Sequence, residues 1–350
     1  MREGPLALVT GAGGFIGAHF VPYLAARGWR VRAIDVHPAP DRVSSALAEY
    51  GVNIDYRVQD IRDAERLAAA LEGVDYVFNL ASVHLDVHAT FEKFAAVNVR
   101  ALEKLVELCS AANVRRLVQV SSVGVYGHVT SPPAREDAPL NPQNLYERTK
   151  MAGEEAARRS AARLDMDVVV IRPSWVYGSG CPRTHKLIRS LRKGRFFYIG
   201  AGRNLRHPIY IDDLLDALLL AAQADAAVAG QTFNVAGPQW MTVEEMVAQF
   251  ASAIEVRAPS LHIPRWLGLT VGWTAEKLSA IAGVEPPVSR RTLAFFENDN
   301  AFDIAAARQS LGFEPKVDLM SGVRQVESKR CGKAIHPAAT TRVSHPTAMP

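Results

Sequence analysis

Through the first half of the chain, short apolar runs alternate with stretches in which Ala, Leu and Val recur at three- and four-residue spacing. The runs are Leu6–Val9, Val31–Ile34, Ile54–Val58, Tyr76–Phe78, Leu117–Val120 and Val168–Ile171. Between them, His19–Arg27, Asp63–Leu71, Ala101–Ala112 and Tyr146–Arg163 place their apolar residues on one helical face and charges on the other. Strands alternating with helices predict an α/β fold, a parallel sheet wound on both faces by crossover helices. Six strands before residue 175 are the number that a doubly wound sheet uses. After residue 175 the rhythm breaks into Gly-, Pro- and Arg-rich loops (Gly178–Arg183, Gly194–Pro208) and isolated helices (Asp212–Gln223, Thr242–Ala253). Phe233–Ala236 has the pattern of a late strand returning to the sheet, so the boundary is interleaved. The predicted organisation is residues 1–173 with about 209–236 as the sheet domain, and about 174–208 with 237–328 as a smaller C-terminal domain. Residues 329–350, with three prolines and scattered bases, have the composition of a disordered tail.

Composition suits one large or two moderate domains with a full core: 350 residues, 48% hydrophobic and 22% charged. The formal charge is +4, but residues 329–350 hold four of the 40 Lys and Arg and none of the 36 acids, so residues 1–328 balance at zero. That balance argues against a nucleic-acid partner. The three cysteines, Cys109, Cys181 and Cys331, have neither disulfide-framework nor zinc-ligand spacing, which suits a reducing, cytoplasmic setting. The Leu6–Val9 run is too short for a signal-peptide core or a membrane span, so no membrane partner is expected.

Chemistry enters with Thr10-Gly11-Ala-Gly13-Gly14-Phe-Ile-Gly17, which follows a strand and opens a helix. Glycines at 11, 14 and 17 permit a tight turn and close backbone approach to a pyrophosphate, which the helix's first N–H groups favour. Asp35, 24 positions after Gly11 at the end of the second strand, suits a carboxylate that accepts from both adenosine ribose hydroxyls and repels a 2′-phosphate. That favours NAD over NADP. Tyr146 and Lys150 stand four apart on one helix face, where an ammonium can lower a phenol's pKa toward acid/base range.

With these motifs the chain resembles the extended short-chain dehydrogenase/reductases of the NAD-dependent epimerase/dehydratase group, over nearly all of residues 6–328. The marks are the glycine turn, Asp60-Ile61, Asn79-Leu-Ala-Ser82, Asn98, Ser121-Ser-Val-Gly-Val-Tyr126-Gly127, Tyr146-x-x-x-Lys150 and Arg172-Pro-Ser-Trp-Val-Tyr177-Gly178. The resemblance implies that the sheet domain binds NAD and the smaller domain binds substrate. It implies cofactor contacts from Gly11, Gly14, Phe15, Ile16, Gly17, Asp35, Asp60, Ile61, Leu80, Ala81, Asn98, Tyr146, Lys150 and Pro173. It also implies a catalytic set of Ser122, Tyr146 and Lys150. Tyr146 as phenolate takes a substrate hydroxyl proton, a hydride leaves that carbon for the nicotinamide, and Ser122 hydrogen-bonds the oxygen.

The substrate is harder to assign. Arg206 matches the position where nucleotide-sugar epimerases hold a diphosphate, yet an ordinary surface arginine on a basic loop fits equally. Trp175 stands where galactose-epimerase types carry an asparagine, and Val123-Gly124 replace the Asp-Glu of sugar dehydratases, which argues against dehydration. The expected activity is an NAD-dependent epimerase or ketoreductase on a nucleotide-activated sugar. Ser122, Tyr146, Trp175 and Arg206 are its substrate-facing residues, with a hydroxysteroid or dihydroflavonol type of alcohol dehydrogenase as the alternative. A non-catalytic nucleotide sensor is disfavoured by the intact Ser, Tyr and Lys. His84 and His88 lack an evident third ligand, so no metal is expected. Trp266–Ile281 has the pattern of a substrate-lid helix, and the resemblance implies a homodimer through the helices near residues 101–112 and 146–163.

Overall fold

The computed structural model describes residues 4–50, 54–83, 90–268, 270 and 295–330. The first half alternates β1 (Leu6–Thr10), α1 (Phe15–Ala25), β2 (Arg30–Asp35), α2 (Asp41–Tyr50), β3 (Ile54–Val58), α3 (Ala64–Ala70) and β4 (Tyr76–Asn79). It continues with α4 (Phe91–Ala95), a π-helical turn (Ala96–Ala101), α5 (Leu102–Ala111), β5 (Arg116–Val120), a 3-10 turn (Val123–Tyr126), α6 (Leu145–Leu164) and β6 (Val168–Pro173). Next come β7 (Trp175–Tyr177), α7 (Pro182–Arg192), β8 (Tyr198–Ile199), β9 (Leu205–Arg206), β10 (Pro208–Tyr210) and α8 (Ile211–Gln223). The chain then runs through β11 (Thr232–Val235), β12 (Met241–Thr242), α9 (Val243–Ala253), β13 (His262–Ile263), α10 (Ala305–Leu311) and α11 (Leu319–Arg330).

Seven strands form one parallel sheet in the order β3-β2-β1-β4-β5-β6-β11. All six predicted strands are present, and the late Phe233 strand is β11, paired to β6 through Phe233↔Ile171. The two-residue period of a strand divides the apolar side chains between two cores. Ala7, Val9, Phe78, Val118 and Ile171 join Phe20, Leu24, Leu214 and Leu218 of α1 and α8 on one face. Leu8, Val77 and Leu117 join Leu67, Leu102, Leu105, Val106 and Ala157 of α3, α5 and α6 on the other. Each fully buried Leu or Phe contributes about 1.5–3 kcal/mol of apolar transfer.

Two buried arginines fasten this sheet to its surroundings. Arg116 pairs with Asp167 at 2.7 Å and donates to the Ala221, Ala224 and Asp225 carbonyls that end α8. Arg172 grips both oxygens of Glu154 on α6, at 3.0 and 2.6 Å, and donates to the Tyr126 hydroxyl at 2.7 Å. Tyr126 in turn donates to Asn234 of β11.

The later segments build short two-stranded pieces: β7 with β10, β9 with β12, and β8 with β13. Residues 295–303 cross over them as a strap. Asn204 donates to the Phe295 and Asn298 carbonyls, Leu205 N–H to Asp299, and Val129 N–H to the Asp299 carbonyl. Helix α7 lies almost wholly between the two expected loops, and neither it nor α2 was anticipated. Helix α11 continues through Arg330, two residues into the expected tail; the rest of that tail, the His84 and His88 pair, and most of the expected lid helix fall outside the described residues.

Candidate active site

The carboxyl ends of β1 and β4 border the point where strand order reverses, the crevice in which doubly wound sheets take ligands. There Gly11 has φ +67°, and a β-carbon on it would lie 2.7 Å from the Ala81 nitrogen. A β-carbon on Gly17 would lie 2.2 Å from the Gly11 oxygen, so both positions are closed to side chains. Gly14 is exposed and caps α1 without any side-chain hydrogen bond, and the first turn of α1 holds no acid. Uncapped amides with a positive dipole end and no side chain in the way fit a pyrophosphate. Asp35 accepts from Gly13 N–H and His37 N–H, each at 2.9 Å, which fixes its carboxylate beside the turn. Each oxygen keeps a second lone pair for a ribose hydroxyl.

Across the crevice, α6 begins at Asn144, whose side chain accepts from Glu147 N–H, and this start sets the helix phase for Tyr146 and Lys150. The half-buried Ser122, at the end of β5, accepts from Gly124 N–H and is hydrogen-bonded to the Tyr146 phenol. Burial pushes Tyr146 up to about 12, opposed by the nearby Arg183 charge and by Ser122, while the Glu147 carboxylate raises it further. Burial lowers Lys150 to about 8. Its Nζ donates to the Val120 carbonyl at 2.8 Å and lies 5.9 Å from the Tyr146 ring centre. The ammonium is thus directed to the strand end, and burial is the largest influence on the phenol. Arg183 was missed in the sequence because only the fold brings it to Tyr146, whereas Glu147 is its chain neighbour and was open to a local reading.

A buried polar chain ties the two sides of the crevice. Thr10 donates to Asn79, Asn79 to Gln119, and Gln119 to the same Val120 carbonyl that receives Lys150. Asn98 sits in the π-helical turn, where its amide links Val83 and Ser82 to Thr149 of α6. Its part is to hold the crevice wall. Leu80 and Ala81 line that wall half-exposed, Phe15 and Ile16 are half-buried in the first turn of α1, and Pro173 is buried at the end of β6. Ile61 is buried, and Asp60 pairs with Arg62 at 2.5 Å.

On β7, Trp175 stacks on Phe250 at 6.0 Å and meets Phe295 edge-on. Its indole nitrogen is buried without a partner among the described residues. Arg206 is buried, not the exposed loop arginine that was one expectation: its guanidinium lies 4.5 Å from the Phe295 ring centre and donates to the Asn298 and Phe295 carbonyls of the strap. Burial lowers it to about 10. The crevice therefore joins a dinucleotide-shaped turn, a Ser–Tyr–Lys group and an aromatic wall.

The model of the NAD dependent epimerase/dehydratase family matches residues 7–236. The chain belongs to this family. It is an enzyme of the extended short-chain dehydrogenase/reductase type within an NAD-dependent family. This epimerase/dehydratase family member is 26% identical to a mouse sterol-4-alpha-carboxylate 3-dehydrogenase, decarboxylating, over 91% of this chain and 90% of that protein. It is 25% identical to the N-acetyl-alpha-D-glucosaminyl-diphospho-ditrans,octacis-undecaprenol 4-epimerase of Escherichia coli O157:H7, over 90% and 92%. Among solved structures, MoeE5 in complex with UDP-glucuronic acid and NAD superposes with TM-score 0.73 at 27% identity, covering 93% of this chain and 99% of that one. Among the described residues no helix is long and apolar enough to cross a membrane, and no cluster of metal ligands occurs.

Proposed function

We propose that this protein is an NAD-dependent epimerase that acts at a carbinol carbon of a diphosphate-linked sugar. The observation that carries the reading is the Ser122–Tyr146 hydrogen bond above a buried Lys150, across one crevice from the uncapped first turn of α1. NAD, when bound, supplies the hydride acceptor. Tyr146, as phenolate, accepts the proton of the substrate hydroxyl at its phenol oxygen, and Ser122 donates to that same substrate oxygen. Lys150, held by Val120, places a positive charge beneath the phenol as the phenolate forms. Asp35, already oriented by Gly13 and His37, favours NAD over NADP. Arg206 and the Phe295 strap supply a cationic, aromatic-faced place for the diphosphate. The UDP-sugar complexes of MoeE5 and the diphospho-sugar epimerase of Escherichia coli support that substrate class.

A second reading, a 3-hydroxysterol dehydrogenase, is favoured by the aromatic wall of Trp175, Phe250 and Phe295 and by the mouse relative. Denaturing the purified protein and identifying released nucleotide by mass spectrometry separates the two. Near-stoichiometric NAD is expected, because an epimerase returns its hydride to its own keto intermediate and gains from never releasing the cofactor. An empty protein that binds NAD weakly and oxidises a 3β-hydroxysterol, with no activity on UDP-hexoses, overturns the epimerase reading.

A further inference from the structure

From Val168 to Ile211 the chain holds nine Lys or Arg and no Asp or Glu, so the rest of residues 1–328 nets −9. The overall balance of charge conceals this division. Six of the nine, Arg183, Lys186, Arg189, Arg192, Lys193 and Arg195, lie on or just after α7, and all six are exposed. At 100° per residue the helical ones cover the face opposite Thr184, Ile188 and Leu191, the residues that α7 buries. Among the described residues, Arg192 alone of the six forms an ion pair, with Glu327 of α11. A solvated helix face in a soluble protein interleaves both signs, and this one does not. Apolar side chains adjoin the ridge. β8 begins three residues after Arg195 and pairs with β13, which Leu261 and Trp266 flank at 60% and 66% exposure.

We propose that α7 is a docking ridge for an anionic lipid bilayer, with Leu261 and Trp266 entering the headgroup region beside it. A cationic helix face bordered by exposed Trp and Leu is the composition of a surface that lies on a membrane. The ridge also leads into the active site, since Arg183 at its N-terminal end is close enough to lower the Tyr146 pKa. Docked on this face, the protein presents the mouth of the crevice to the bilayer, where a substrate with a lipid-borne diphosphate would reach it; that last clause rests on the proposed function, and the docking does not.

The test is sedimentation of the full chain with vesicles of phosphatidylcholine containing about 30% phosphatidylglycerol, against phosphatidylcholine alone. Wild type is expected to sediment with the anionic vesicles only and to be released by salt, which screens surface charge. Each cation near an anionic leaflet is worth about fivefold in partitioning, so R189S/K193S is expected to bind about 25-fold more weakly. Its circular dichroism and nucleotide uptake should be unchanged. Equal binding of both proteins, or no binding of wild type to anionic vesicles, overturns the proposal. So does capture by heparin or RNA that depends on Arg189 and Lys193 while vesicles are ignored, which would make the ridge a polyanion site. No arm uses turnover, so failure of the epimerase reading leaves this result interpretable.

Discussion

Lys150→Met sets the needs of the site against those of the fold. Lys150 is 5% exposed, and burial holds its ammonium at about 8, against an ordinary 10.5. At about 1.4 kcal/mol per pH unit that gap costs the folded state ~3 kcal/mol wherever the group is charged. The unfolded chain binds this proton more tightly between about pH 8 and 10.5. Stability therefore rises with pH across that window, and the full penalty applies below it. Methionine of similar volume removes the penalty but also loses the hydrogen bond to the Val120 carbonyl, worth about 1 kcal/mol. That carbonyl keeps Gln119 as a donor at 3.0 Å. The expected net is ~2 kcal/mol of added stability at pH 7. With about 2 cal/mol/K of unfolding entropy per residue over 350 residues, this raises Tm by ~3 °C. Urea or thermal unfolding of the cofactor-free proteins at pH 7 and pH 10.5 measures it. A variant less stable than wild type at pH 7, or one whose advantage persists unchanged at pH 10.5, refutes the reasoning.

Tyr146→Phe is expected to lower kcat by at least about a hundredfold while nucleotide uptake and circular dichroism stay the same; retained turnover would remove Tyr146 from the chemistry. Glu147→Gln takes away a carboxylate that raises the Tyr146 pKa, so the alkaline-rising limb of the kcat/KM profile should move to lower pH, and a shift to higher pH contradicts that electrostatic account. Glu154→Ala strands the buried Arg172 guanidinium and should cost about 3–5 kcal/mol by urea unfolding, whereas E154M/R172M should recover most of it. Should the double variant prove no more stable than the single one, the cost lies elsewhere than in the unpaired charge.

Much of this fold is legible in the sequence because its central strands are buried on both faces. Val168–Ile171 must be a continuous apolar run, and Leu117–Val120 one broken only by Gln119, when α1 and α8 cover one side and α5 and α6 the other. Helix α7 escapes such a reading because its exposed face is unbroken cation and only Thr184, Ile188 and Leu191 mark the buried one. Helix α2 buries just Val43 and Ala46 and leaves as faint a trace. Strands β8, β9, β12 and β13 have two residues each, too few to show any period. In the site, Gly11, Gly17, Tyr146 and Lys150 are legible because local spacing defines their geometry. Arg183 and the Asn79–Gln119 chain depend on how distant segments meet.

The seventh strand has a consequence for synthesis. β11 completes the sheet beside β6, yet it is encoded after the whole β7–α8 excursion, so β6 leaves the ribosome well before its outer partner. At about 5–20 residues per second, the intervening stretch of roughly 60 residues keeps that edge open for ~3–12 s. The strand left waiting is Val-Val-Val-Ile-Arg-Pro, an apolar ladder of free backbone groups of the kind that pairs with other chains. The nascent protein is therefore most exposed to aggregation while its central sheet is six-sevenths assembled, and the arrival of Phe233 ends that interval.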